Sequence, residues 1–69
     1  MKEILYSVLL THKKSGNKLR LQVWAENGSR ATAQFAGVLL GPDREYVWRG
    51  TEPEHDAAGN VIMREVSEE

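Results

Sequence analysis

Lys18-Leu19-Arg20-Leu21-Gln22-Val23-Trp24-Ala25-Glu26, followed by Asn27-Gly28-Ser29, is the stretch that decides the fold. Its first nine residues alternate strictly. Leu19, Leu21, Val23 and Ala25 fall on one face and Lys18, Arg20, Gln22, Trp24 and Glu26 on the other, which is the period of a half-buried strand. The period then changes. Asn27 and Ser29 are good helix N-caps, and Ala31, Phe35, Val38 and Leu39 recur at helical spacing up to Gly41-Pro42, so a helix is predicted over Ser29 to Leu40. Ala33, Ala36 and Gly37 are small enough to let that helix lie close on a sheet, with Phe35 as its central knob.

Upstream, Glu3 to His12 alternates in the same way, with Ile4, Tyr6, Val8 and Leu10 on one face and Leu5, Ser7, Leu9 and Thr11 on the other. Lys13-Lys14-Ser15-Gly16-Asn17 between the two strands supplies a residue that tolerates positive φ, so a hairpin is predicted. Downstream, Arg44 to Arg49 and Asn60 to Val66 are rich in β formers and read as two further strands. Thr51 to Gly59, with a proline and three acids, reads as an exposed loop closing a second hairpin. The predicted fold is α+β, a two-layer sandwich of ββαββ order with a mostly antiparallel sheet and one helix on one face. Strands two and three should then run parallel, with strand one between them. The other face is left for water, a partner or a second copy of the chain.

The 69 residues amount to a single domain, 1–69, with Ser67-Glu68-Glu69 expected to fray. With 41% hydrophobic and 28% charged residues, neither disorder nor a membrane span is expected, and the absence of cysteine excludes disulfides and thiol chemistry. Met1-Lys2-Glu3 leads directly into the first strand pattern, so no targeting segment is expected and the predicted location is cytoplasmic.

Charge is unevenly spread. Residues 1–30 hold six Lys or Arg against two acids, and residues 31–69 hold three Arg against eight acids. Such a dipole suits docking on a charged macromolecule. Lys13, Lys14, Lys18, Arg20, Gln22 and Trp24 form the candidate partner-binding set, because an exposed Trp and Arg among aliphatics have the composition of a binding hot spot. Trp24 has a second reading as a cover over Leu5 or Leu9. Tyr46 and Trp48 share one face of the third strand, and the sequence leaves open which face that is. His12, Lys13, Lys14, Lys18 and Arg20, with Trp24 as a stacking platform, also admit a nucleic-acid module, against which stand the acidic second half and a pI near 6.1.

No enzyme is expected, since nothing in the sequence pairs a nucleophile with a base. His55 with Glu52, Glu54 and Asp56 lacks the spacing of a zinc or calcium site, and Asn27-Gly28-Ser29 is a capping turn and not a phosphate loop, so neither metal nor cofactor is expected.

Val23-Trp24-Ala25-Glu26, then Ser29, Ala31, Phe35-Ala36, Gly41 and Tyr46-Val47, resembles a pattern in small phage-encoded inhibitors, both anti-CRISPR proteins and inhibitors of host RNA polymerase. The likeness spans about residues 19–50 and lies in fold-making positions. It implies a non-enzymatic phage or mobile-element protein that binds and blocks a host protein or ribonucleoprotein complex in the bacterial cytoplasm, anti-CRISPR type first. A homodimer pairing sheet faces or edges is a further expectation.

Overall fold

The computed structural model describes residues 1–41 and 43–67. The elements in chain order are β1 (Lys2–His12), β2 (Lys18–Ala25), α1 (Gly28–Ala36), β3 (Tyr46–Pro53) and β4 (Met63–Glu65). They make one antiparallel sheet of four strands and one helix, an α+β protein composed mostly of strand. Pro42 of the predicted helix stop and Glu68-Glu69 of the predicted frayed end lie outside the described residues. Among those described, no helix is long and apolar enough to cross a membrane.

β1 is the spine. On one side it pairs with β2 from Ile4↔Ala25 to Thr11↔Lys18. On its other side it pairs with β3, from His12↔Tyr46 to Tyr6↔Pro53, and then with β4, from Ile4↔Met63 to Lys2↔Glu65. The β1–β2 turn closes with Gly16 at φ 74°, its N–H bonding the His12 carbonyl at 3.0 Å, which is the conformation a glycine adopts without strain.

The second half differs from its sequence reading in three respects. The third strand does not end at Arg49 but continues to Pro53 through a bulge at Arg49, where the register shifts between Leu9 and Leu10. The fourth strand is short, Met63–Glu65, and forms no hairpin with β3, because the two lie end to end along β1. The excursion between them is pinched at its base by one residue of β1. The Leu5 carbonyl accepts from Glu54 N–H at 2.8 Å, Leu5 N–H donates to the Ile62 carbonyl at 2.9 Å, and Ile62 N–H donates to the Glu54 carbonyl at 3.0 Å. Third, the helix ends at Ala36 and not at Leu40. The Phe35 carbonyl takes both Val38 and Leu39 N–H, and the Arg44 guanidinium reaches the Gly37 carbonyl at 3.3 Å, so orphan end carbonyls find partners without another helical turn.

Asn27 caps the helix start, its side-chain oxygen accepting from Arg30 N–H at 2.9 Å. Ala31 is the helix residue with no exposed surface, and it packs with Val8, Leu10 and Ala25. Phe35, read as the central knob, flanks this cluster half-buried together with Tyr6, Leu19, Leu21, Val23, Leu39, Leu40 and Tyr46. A methyl group at the point of closest approach lets backbone meet backbone, and the larger rings pack around it.

Candidate functional site

Alternation sends the side chains of Glu3, Leu5, Ser7, Leu9 and Thr11 on β1, and of Lys18, Arg20, Gln22 and Trp24 on β2, to the sheet face away from the Ala31 cluster. Three polar groupings order this face. At its centre Ser7, a polar residue with 0% exposure, donates its hydroxyl to Glu54 Oε1 and accepts from Arg20 Nε at 2.8 Å. Arg20 Nη2 also bonds Glu54 Oε1, and Gln22 Nε2 reaches Oε2 at 3.4 Å. The Ser7 hydroxyl, first, and the Arg20 guanidinium, second, hold the Glu54 carboxyl below its ordinary range. Towards the N-terminal end of β1, Arg64 bonds Glu3 Oε1 at 2.8 Å and stacks over the Trp24 ring at 4.6 Å. Towards the other end, Arg49 Nε donates to Thr11 Oγ1 at 3.2 Å.

The last grouping borders a hollow of about 490 Å³ lined by Leu9, Leu10, Thr11, Lys18, Leu19, Arg20 and Arg49. Three cations surround the Leu9 side chain, since Leu10 and Leu19 turn theirs to the helix side. Such a hollow can take an acidic group, carboxylate or phosphate, carried beside an apolar one. Arg49 reaches it because alternation along β3 sends Val47 and Arg49 to the Thr11 side, while Trp48 keeps to the helix side and donates to Thr51 Oγ1 at 2.9 Å, which in turn bonds Thr32 of α1.

The residues singled out in the sequence are thus divided among several places. Lys18 and Arg20 line the hollow, Gln22 helps hold Glu54, and Trp24 lies half-buried under Arg64. Lys13 and Lys14 lie elsewhere, around a recess with His12, Asp43, Arg44 and Glu45, and Lys13 Nζ bonds the Gly41 carbonyl at 3.0 Å. His12 is held by Ser15 N–H on Nδ1 and packs edge-on against Tyr46. Of the acidic loop residues, Glu54 faces Arg20, and Asp56 Oδ1 accepts from Ala58 and Asn60 N–H at 2.9 and 3.0 Å. Among the described residues no three His, Asp or Glu side chains converge to hold a metal ion.

Ser7, Arg49 and Arg64 were not singled out by sequence, while Leu9 entered only as a neighbour of Trp24 and Glu54 only as a rejected metal ligand. The signal for Ser7 was present, as the one small polar residue inside an aliphatic strand. Comparison of the chain with protein-family models, curated proteins and solved structures finds no match.

Proposed function

We propose that this chain is a non-enzymatic binding domain, a two-layer ββαββ sandwich that engages a macromolecular partner through the hollow between Lys18, Arg20 and Arg49. The single observation that carries this reading is three cations around the Leu9 side chain in a chain whose net charge is −1. Local charge set against global charge favours one orientation of approach to an acidic surface. The Ser7–Glu54–Arg20 grouping supports it by fixing one of the three cations before any partner arrives, which lowers the ordering cost of binding. The hollows among the described residues are shallow, and the Ser7 hydroxyl beside the Glu54 carboxylate has 0% exposure and so lies out of a substrate's reach, which supports occupancy over catalysis.

In keeping with the resemblance above, the partner in this proposal is a bacterial host complex blocked by occupation of an acidic site, a CRISPR effector first and RNA polymerase second, in the host cytoplasm. Purified complexes of both kinds, titrated with labelled domain, test it. The Arg49→Glu variant is expected to weaken binding by at least about tenfold, as truncation of an interface arginine does. Equal binding by the variant, or none by the unaltered domain to either complex, overturns the reading. Binding to naked nucleic acid that falls steeply with salt and vanishes on neutralising Lys13, Lys14 and Lys18 would replace it with a nucleic-acid module using the first hairpin.

A further inference from the structure

We propose that the free edge of β2 is a self-pairing site, at which a second copy of this chain adds its own β2 antiparallel about Gln22. The proposal rests on the backbone of this edge and on its own side-chain pairs, of which Lys18, Leu19 and Arg20 also line the hollow. Leu5 spends both its backbone groups on Glu54 and Ile62, on the β3/β4 side of β1. In an antiparallel ladder these directions alternate, so Leu5, Ser7, Leu9 and Thr11 bond towards β3 and β4, and their neighbours Trp24, Gln22, Arg20 and Lys18 point N–H and C=O outward. This edge has no proline, glycine or bulge along Lys18–Ala25, so the devices that usually blunt an edge are missing from its backbone. One outward carbonyl has a stand-in donor: the Gln34 side-chain amide of α1 bonds Trp24 C=O at 3.2 Å, where a neighbouring strand's N–H would sit.

The occupant is read from the side chains. Two copies of β2 crossing at Gln22 place Lys18 opposite Glu26, Arg20 opposite Trp24 and Gln22 opposite Gln22 on one face. Leu19 then meets Ala25 and Leu21 meets Val23 on the face that carries the Ala31 cluster. No cross-strand pair sets like charges together: there is an ion pair, Arg20 beside the Trp24 ring that already stacks under Arg64, an amide pair and apolar pairs. A slip that centres the pairing on Arg20 sets that guanidinium against itself. The Gln22 centre is also the midpoint of residues 18–26, which takes in all of β2 and the bend residue Glu26 that follows it. Because the two-fold axis stands perpendicular to the sheet, both helices fall on one side and both hollows on the other.

Sedimentation equilibrium of the unaltered domain is expected to show a species of twice 7.8 kDa, with dissociation somewhere between about 1 μM and 1 mM, since the interface is one strand pair. Lys18→Glu and Glu26→Lys should each weaken the dimer roughly tenfold, because symmetry repeats the like-charge pair twice, and the double swap should restore it. Gln22→Pro, which removes an outward N–H together with the 3.4 Å side-chain contact to Glu54, should give a monomer with nearly unchanged circular dichroism. A domain monomeric at about 1 mM overturns the proposal. So does a dimer indifferent to both charge swaps, or one in which the double swap fails to restore what the single swaps lose. Should Gln22→Pro fail to fold, the swaps alone decide.

Discussion

The two edges of the sheet are built on opposite plans. On one side of β1 lies β2, eight regular residues cut from a hairpin, with alternation intact from end to end. On the other side lie two pieces of strand, β3 and β4, with a bulge at Arg49, a glycine at 50, a proline at 53 and an excursion over 54–62. Each irregularity in the second edge interrupts the row of outward groups on which a foreign strand could template. Regularity leaves an edge available, and irregularity closes one; a single small sheet here does both.

Proline scanning along β2 gives the sharpest contrast. Leu21→Pro deletes an N–H that faces Val8 and a side chain packed on the core cluster, so its loss should reach the roughly 2–5 kcal/mol of a truncated core leucine and leave the domain largely unfolded by thermal melting. Gln22→Pro, one residue away, should leave the same melt nearly in place. Equal damage from both would mean that the ladder's alternation has been misassigned and that the edge is not free.

On the broken edge, the effects run through Ser7. Ser7→Ala removes a buried hydroxyl bonded to both Glu54 and Arg20 and should cost about 1–2 kcal/mol in chemical denaturation. Its effect should not add to that of Arg20→Ala, because the two share one network. Glu54 links this network to pH. Its carboxyl is held below the reference value of 4.5, so the stabilisation is complete above the ordinary carboxylate range and is lost as pH falls through the depressed value. Glu54→Gln should therefore melt below the unaltered domain at neutral pH, and the gap should close as melts are repeated into the acid range below 4.5. A gap constant with pH would show that Glu54 acts by packing alone. The smallest effect is expected at Gly50, where an added Cβ meets nothing within 4 Å and φ is not positive. Gly50→Thr should be neutral or stabilise by up to about 1 kcal/mol, since it narrows the unfolded ensemble without a clash. A large loss there would show that the bulge needs glycine.

The same contrast explains what could be read from the chain and what could not. β1, β2 and their turn were legible because every signal is local: alternation in Ile4–Leu10 and Leu19–Ala25, and Gly16 at the reversal. The second edge was not. Its bulge breaks the alternation between Trp48 and Gly50, so the pattern appears to stop at Arg49. Pro53 reads as a breaker, yet it stands opposite Tyr6, whose backbone groups serve β2, so its missing N–H faces outward and costs nothing. The helix was overrun by four residues because Val38, Leu39 and Leu40 continue its apolar spacing. Gly37 offsets them, and Arg44 satisfies the end. Ser7, Arg20 and Glu54 are distant in sequence and meet only through the two registers of β1, so no motif announces them. Lys18, Arg20, Gln22 and Trp24 were singled out from alternation alone, which places side chains on a face but does not say that Glu54 and Arg64 already contact three of them.

The pinch at Leu5 makes residues 55–61 a module with its own anchor. The bridge His55↔Val61 and the Asp56 bonds order it internally, while Leu5, Glu54 and Ile62 secure it below. Chain added between Ala57 and Ala58 lengthens the Asp56 turn alone, and the register of β4 on β1 is set by the bonds of Leu5 below it. Lengthening a loop that is already closed costs little, about 0.6 kcal/mol per doubling. The protein therefore carries a ready splice point at which a reporter peptide or an epitope could be displayed without disturbing either edge.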